Sequence, residues 1–240
     1  MPNTVSMKNP TNRKAYIITG ATSGIGRVTA FELAKYGTII LVGRDPKKLD
    51  EVQKTMEQRG QLAVSVVCDL SDLASVRRAA AEIIALDLPI VGLLNNAGIF
   101  PMRATKNALG WDNAFATNHI GPFVLTEALI PHLPDGANIV FIASGVEDPE
   151  RKPAKMAGFR GGRYISAEAS ARGEWEPGGS KMPGADAVKR RVVGLTCVLP
   201  ARASKIPFMQ SRPILDHRQR HQRFRRGRSR SLDFGRQGRA

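Results

Sequence analysis

The stretch of the sequence best suited to chemistry is a glycine-rich turn near the N-terminus, Thr19-Gly-Ala-Thr-Ser-Gly-Ile-Gly26. It follows a short β-branched run and precedes a stretch of helical period, so we expect it to join a strand to a helix. Its glycines would let the backbone turn tightly and approach a ligand, while N–H groups at the helix start would bind a pyrophosphate. The expected contacts are Gly20, Ser23, Gly24, Ile25 and Gly26. The spacing is G-x-x-x-G-x-G rather than the common G-x-G-x-x-G, and a turn needed only for packing is the alternative.

Arg44 follows the second apolar run, where the ribose 2′ position of a bound dinucleotide would lie. An acidic residue there would accept hydrogen bonds from a 2′-hydroxyl and favour NAD, whereas a guanidinium suits the 2′-phosphate of NADP. We therefore expect NADP in preference to NAD. Against this, Arg44 could be an ordinary solvated side chain at a loop start, and the adjacent Asp45 could neutralise it.

Three further stretches place polar residues after later strands or within a helix. Asp69-Leu70 ends the third apolar run, Asn95-Asn-Ala-Gly98 ends the fourth, and Asn118 falls within a helical stretch. Together with the glycine turn they resemble the short-chain dehydrogenase/reductase family in order, spacing and placement over residues 13 to 144. The long segment after Ser144 is similar to that of the retinol-dehydrogenase and protochlorophyllide-reductase-like branch.

The resemblance implies hydride transfer between NADP(H) and a small-molecule carbonyl or alcohol substrate. It also implies that the adenine is flanked by Asp69 and Leu70, and that the cofactor cleft is lined by Asn96, Ala97 and Gly98. Asn118 would anchor a proton-relay water, and Ser144 would bind the substrate carbonyl. Without the family, Asn118 would be a polar residue satisfied inside a helix kinked by Pro122, and Ser144 an ordinary hydroxyl at a strand end.

The implied chemistry needs a tyrosine and a lysine one helical turn apart. An ordinary tyrosine has a pKa near 10, and a lysine on the same helix face lowers the pKa of the phenol. No Tyr-x-x-x-Lys motif begins at any of the three tyrosines, Tyr16, Tyr36 and Tyr164; Glu168 stands where Tyr164 would need lysine. In the register of the resembling branch, Val188 and Val192 occupy the tyrosine and lysine positions.

The alternation of short apolar runs with helical stretches predicts an α/β fold with a doubly wound parallel sheet, Rossmann-like and incomplete at the C-terminus. The strands are predicted at Ala15–Thr19, Thr38–Val42, Ala63–Cys68, Val91–Asn95 and Asn138–Ala143. Helices are predicted near Gly24–Tyr36, Pro46–Arg59, Asp72–Leu86 and Gly110–His132, with Ser71 or Asp72 capping the third and a short helix at Ser166–Arg172. No further strand is expected after the fifth.

The formal charge of +15 over 240 residues is concentrated at one end of the chain. Residues 188–240 hold 15 Lys and Arg but only two acidic residues, whereas residues 1–187 hold 21 basic and 19 acidic ones. We therefore divide the chain into a dinucleotide-binding domain over 1–187, with a long insertion at 145–184 over the site, and a basic tail that cannot fold by itself. The two cysteines form no disulfide framework.

No apolar run is long enough for a membrane span or a secretory leader, so we expect a cytoplasmic protein. No metal site is expected. A homo-oligomer is compatible with the family, although its usual interface would be damaged if the residues after 187 are foreign to it.

Two accounts explain the missing tyrosine and lysine. The chain could be a catalytically inactive dinucleotide-binding or scaffold protein with a basic, nucleic-acid-binding tail. Alternatively, the coding sequence has slipped frame close to residue 188. We favour the second, because the tail has no lysine-rich clustering or aromatic stacking pattern, and because the strands that should complete the sheet beyond the fifth are missing. We expect no specific nucleic-acid partner.

Overall fold

A computed structural model describes residues 14–101, 103–142, 152 and 166–174, together with the backbone of Phe208–Gln210. The strands are β1 (Ala15–Thr19), β2 (Thr38–Gly43), β3 (Ala63–Val67), β4 (Ile90–Asn95), β5 (Asn138–Phe141) and β6 (Phe208–Gln210). They form one parallel sheet in the order β3-β2-β1-β4-β5-β6. The chain therefore winds outward in both directions from β1 and β4, which confirms the doubly wound α/β prediction.

Both faces of the sheet are buried because helices cover both sides, and neighbouring residues of each strand point to opposite faces. Ile17 and Ile40 pack on one face, against the helices that follow β3 and β4. Ile18 and Leu41 pack on the other, against the helices that follow β1 and β2. The apolar runs of the sequence are continuous rather than alternating for this reason.

The helices are α1 (Gly24–Leu33), α2 (Pro46–Glu57), α3 (Leu73–Ala85), α4 (Asn113–Phe115), α5 (Gly121–Leu129) and α6 (Ala167–Arg172). Asp72 caps α3 by accepting a hydrogen bond from the N–H of Ala74, as one of the two predicted caps. Ser166 caps α6 and Gly173 ends it in a left-handed conformation, so the short helix predicted in the insertion is confirmed. Within the described residues, no helix has the length and apolarity that crossing a membrane requires.

The prediction of one continuous helix over Gly110–His132 is wrong in two respects: the helix starts later, and it is not a regular α-helix throughout. It begins at Asn113, because Asp112 supplies the N-cap and accepts the N–H of Phe115. After α4 the chain forms a π-helical segment over Ala116–Ile120, and the regular helix resumes only at Gly121. Three residues of 3-10 helix, Ile130–His132, then end the element.

The expectation that no strand follows the fifth is also wrong. The backbone of Phe208–Gln210 pairs in parallel with β5 at Ile139, Val140 and Phe141. Three residues are too few to show the alternation of apolar and polar side chains that predicts a strand. This strand forms because the edge of β5 is available for pairing. The stretch lies within the tail over which the sequence predicted no fold.

Candidate functional site

A cleft of about 360 Å³ lies at the carboxyl ends of β1 to β4, where the order of the sheet reverses. Open α/β sheets bind their ligands at such a point. Eight of the predicted cofactor contacts line the cleft: Gly20, Ser23, Arg44, Asp69, Leu70, Asn96, Ala97 and Gly98. The sequence reasoning missed Thr22, Asp45, Lys48, Cys68, Ile99 and Thr117, which also line it, together with Val42 and Gly43 from β2.

The glycines of the first turn have different structural roles. A side chain at Gly20, where φ is +68°, would place its Cβ 2.9 Å from Cα of Ala97. A Cβ at Gly26 would overlap Nδ2 of Asn96 and the carbonyl oxygen of Gly20. Gly24, with φ of +53°, faces open space. Gly20 and Gly26 therefore let the turn pack against β4, whereas Gly24 gives the backbone a conformation that other residues adopt only with strain.

The start of α1 leaves its backbone donors open to a ligand. Ser23 is the N-cap residue, yet its side chain makes no capping hydrogen bond. The first N–H groups of a helix have no intrahelical acceptor and carry the positive end of the helix dipole. Ile25 in this turn is 65% exposed and, like Gly24 and Gly26, does not line the cleft. The predicted contacts through Gly24, Ile25 and Gly26 therefore stay predictions.

Thr19 joins the first turn to the end of β4. Its buried hydroxyl accepts hydrogen bonds from the backbone N–H groups of Asn96 and Ala97, both at 3.0 Å. Nδ2 of Asn96 in turn donates to the carbonyl oxygen of Thr19 at 3.0 Å. Asn95 points elsewhere and donates to the hydroxyl of Thr126 on α5. The two adjacent asparagines thus fix the cleft wall from opposite sides of β4.

Arg44 and Lys48 place two cations at the mouth of the cleft. Asp45 lies between them and caps α2, accepting the N–H groups of Lys47 at 3.1 Å and Lys48 at 3.3 Å. Its carboxylate is 3.9 Å from Nζ of Lys48. Among the ion pairs of the described residues none joins Asp45 to Arg44. The acid next to Arg44 is therefore directed at the helix start and at Lys48.

The residues that follow β3 form a further part of the cleft lining. Asp69 accepts both the N–H of Ser71 at 2.9 Å and its hydroxyl at 2.7 Å through the same carboxylate oxygen. Leu70 is buried, and its backbone carbonyl approaches Gly121 so closely that a Cβ there would overlap it. Burial raises the pKa of the neighbouring Cys68 thiol to about 12, so it stays protonated at neutral pH.

Asn118 lies in the π-helical segment beside the cleft. Its side chain accepts the N–H of Ile99 at 2.7 Å and donates to the carbonyl oxygen of Ile99 at 2.9 Å. Its own backbone carbonyl lacks the usual donor four residues later, because Pro122 has no N–H. The side chain therefore holds the segment after β4 in place.

The model of the short chain dehydrogenase family matches residues 14–154. The chain belongs to this family. The match begins at the strand before the glycine turn and covers more than half of the chain, including the described cleft. The family resemblance predicted from the sequence is confirmed.

Relatives of known identity support the same assignment. Retinol dehydrogenase 14 of Mus musculus is 35% identical over 147 residues, which are 55% of this chain and 44% of the mouse protein. A solved metagenomic short-chain oxidoreductase in complex with NADP is 26% identical, with a TM-score of 0.50, over 59% of this chain and 67% of that one. A short-chain dehydrogenase from Sphingobium yanoikuyae in complex with NADPH is 28% identical, with a TM-score of 0.50, over 57% and 56%. The chain spans half or less of the length of the curated relatives it matches.

The remaining residues expected of a short-chain dehydrogenase fall only partly within the described structure. Ser144, Tyr164, Val188 and Val192 lie outside the described residues. Tyr16 lies in β1 against Gly92, and Tyr36 is exposed after α1; neither lines the cleft. The described residues thus form the cleft and place Asn118 beside it, and neither of their two tyrosines lines the cleft.

Proposed function

We propose that this short-chain dehydrogenase binds NADP(H) in the cleft and belongs to the NADP-linked members of its oxidoreductase family. The observation that carries the proposal is Arg44 at the cleft mouth, with the carboxylate of Asp45 directed at the start of α2. A guanidinium that is not paired with the adjacent carboxylate can bind a 2′-phosphate. NADP carries this phosphate, whereas NAD has a 2′-hydroxyl in its place. The NADP and NADPH complexes of two similar solved proteins support the same choice.

The residues of the cleft fit a dinucleotide. The N–H groups at the start of α1, which follow the cleft-lining Gly20 and Ser23, would hold the pyrophosphate. Asp69 and Leu70 would flank the adenine, and Asn96, Ala97 and Gly98, which line the cleft, would form its wall toward the nicotinamide. When bound, the nicotinamide supplies or accepts the hydride that passes to or from a carbonyl or alcohol carbon. Ser144 would bind the substrate oxygen, and Asn118 would anchor a proton-relay water.

We also propose that turnover by this chain is slow. Val188 and Val192 stand where the family register requires the proton-transferring tyrosine and its lysine, and valine can neither donate nor accept a proton. Lys189 is no substitute, because one residue turns a helix by about 100°. The loss of a positioned acid or base typically lowers a rate by about 10² to 10⁴.

A slip of the reading frame close to codon 188 is the explanation that we favour for the two valines. Beyond Ala187 arginine outnumbers lysine 13 to 2, and glutamate is absent after Glu176. The strand Phe208–Gln210 removes one reason for this explanation, which was the lack of any further strand. Sequencing the gene decides between the two accounts. A one- or two-base shift that restores Tyr-x-x-x-Lys in a long open frame supports the slip, and its absence from both alternative frames contradicts it.

The second candidate function is a dinucleotide-binding scaffold with a basic tail. It is favoured by the 15 Lys and Arg against two acidic residues in residues 188–240. Binding to nucleic acid through such charges falls steeply with salt, because each neutralised phosphate releases counterions. Retention of nucleic acid at several hundred millimolar salt, or discrimination between sequences, would favour this function over incidental electrostatics.

Arg44→Asp provides the test of the cofactor. We expect the unaltered chain to bind NADPH more tightly than NADH, and the substitution to abolish or reverse that preference, because a carboxylate repels a 2′-phosphate and accepts hydrogen bonds from a 2′-hydroxyl. Titration followed by nicotinamide fluorescence measures both affinities. Equal affinities in the unaltered chain would contradict the NADP assignment.

A further inference from the structure

The short helix α6 docks by its C-terminal end onto the loop that precedes α4. The carbonyl oxygen of Ala171 accepts the backbone N–H of Asp112 at 2.8 Å. Nζ of Lys106 donates to the carbonyl oxygen of Arg172. The last carbonyl groups of a helix have no donor within the helix and carry the negative end of its dipole. A backbone N–H and an ammonium of the loop therefore supply partners that the end of α6 lacks.

Gly173 allows this close contact. Its φ of +71° is left-handed, and a Cβ there would lie 2.9 Å from Cβ of Asp112. The N–H groups of Gly173 and Glu174 donate to the carbonyl oxygens of Ser170 and Ala169, at 3.0 and 2.8 Å. Any other residue at this position would strain the backbone and displace the end of α6 from Asp112.

Asp112 connects the docked helix to α4. Only 3% of its surface is exposed. Its N–H is bound to α6, while its carboxylate caps α4 by accepting the N–H of Phe115 at 2.9 Å. It also forms an antiparallel bridge with Lys106. A displacement of α6 would therefore act on the residue at which α4 starts.

The helix α4 leads directly to the cleft. The π-helical segment follows it without a break and contains Thr117 and Asn118. Thr117 lines the cleft, and its hydroxyl donates to the carbonyl oxygen of Asn113 in α4 at 2.7 Å. Asn118 binds both backbone polar groups of Ile99, which also lines the cleft. The start of α4 thus determines where this side of the cleft lies.

We propose that α6 acts through Asp112 to position the side of the cleft formed by Ile99 and Thr117. Lys106 and Gly173 hold α6 in place for this role. Like Asp112, neither of them lines the cleft, so all three are positioning residues. The proposal rests on the proposed NADP(H) binding and adds an element outside the cleft that controls it. Because such a coupling is reciprocal, bound NADPH must also stabilise the docked α6.

The test compares Gly173→Ala with Gly60→Ala in the full chain. Both glycines have nearly the same φ, +71° and +70°, so the strain of an added side chain is common to both. Only the Cβ at 173 would meet Asp112, since a Cβ at 60 would face open space. In a nicotinamide fluorescence titration, Gly173→Ala should weaken NADPH binding about five- to ten-fold, whereas Gly60→Ala should leave it within about two-fold.

Hydrogen exchange distinguishes positioning from a general loss of stability. The amide of Asp112 reports the docking of α6, to which it donates. The amide of Ile99 reports the side of the cleft that Asn118 holds. Gly173→Ala should speed exchange at both amides relative to Gly60→Ala, and saturating NADPH should slow exchange at Asp112 in the unaltered chain.

Lys106→Gln repeats the comparison without strain in the backbone. Its control is Lys54→Gln, which removes the same charge from an exposed lysine that donates to Asp50 within α2. Loss of the hydrogen bond to α6 should weaken NADPH binding about three-fold in Lys106→Gln, while Lys54→Gln should leave it unchanged. An equal effect of both lysine substitutions would contradict the proposal, because it would show only the long-range field of the chain.

Equal NADPH affinity of Gly173→Ala and Gly60→Ala would overturn the proposal. Faster exchange at Asp112 with unchanged exchange at Ile99 would overturn it as well, because the docking of α6 would then not reach the cleft.

Titration with NADH, measured alongside, separates this failure from that of the proposed function. If the unaltered chain binds NADPH and NADH equally, the NADP(H) assignment fails, while weaker binding of both by Gly173→Ala still supports the positioning role. If the unaltered chain prefers NADPH and the two glycine variants bind it equally, only the positioning role fails. If the unaltered chain binds neither dinucleotide, both fail.

Discussion

Thr19 connects the glycine turn to the end of β4 through three hydrogen bonds. One buried hydroxyl satisfies two consecutive backbone N–H groups at the end of β4, and the backbone carbonyl of the same residue accepts Nδ2 of Asn96. A threonine before a glycine at a strand end does not reveal this role, since the partners lie 77 and 78 residues away in sequence. The distance between Gly20 and the wall of the cleft depends on this contact.

Thr19→Val should therefore cost about 2 to 4 kcal/mol in free energy of unfolding, because it leaves two N–H groups in a partly buried place without an acceptor. Thr19→Ser keeps the hydroxyl and should cost about 1 kcal/mol, the loss of one buried methyl group. Urea denaturation of the two variants measures the difference. Equal stability of Thr19→Val and Thr19→Ser would show that the hydroxyl does not hold the turn to β4.

The glycine turn and the π-helical segment both contribute to the lining of the cleft, the turn through Gly20 and Ser23 and the segment through Thr117. In the turn, Gly26 is a packing position and Gly24 a conformational one. Gly121, the first residue of α5, closely approaches the carbonyl of Leu70, and the π-helical segment directly precedes that contact. Such π-helical turns are often found at functional sites.

Gly24→Ala and Gly60→Ala form a matched pair for the turn. Both glycines have positive φ, +53° and +70°, and both face open space. Each alanine should cost about 1 to 2 kcal/mol of stability through backbone strain. Only Gly24→Ala should also weaken NADPH binding, because Gly60 lies at the far end of α2. Equal NADPH affinity of the two variants would contradict a ligand-facing role for Gly24.

The sequence predicted the features that depend on local patterns. The first five strands follow from apolar runs, and the glycine turn from its position between a strand and a helix. It did not predict the π-helical segment, because Gly121 and Leu70 are brought together only by the packing of α5 beside the end of β3. Nor did it predict that Lys48 lines the cleft, because this depends on how the Asp45 cap starts α2. It also missed β6, which forms by pairing with the edge of β5.

At the scale of the whole molecule, the chain combines a family domain with a segment of different composition. The family match ends at residue 154, and the charge balance changes beyond Ala187. In our proposal the described cleft binds a dinucleotide, while Val188 and Val192 occupy the positions of the proton-transferring pair in the family register. Binding and turnover should therefore be separable in this chain, in contrast to an intact short-chain dehydrogenase.

The most direct test is a fluorescence titration of the full chain with NADPH, followed in the same sample by the addition of aldehyde and ketone substrates. We predict saturable binding of NADPH and a rate of NADPH oxidation about 10² to 10⁴ below that of a related short-chain dehydrogenase assayed alongside. Absence of saturable binding would contradict the assignment of the cleft. Oxidation at a rate equal to that of the intact relative would contradict the loss of the proton-transferring pair.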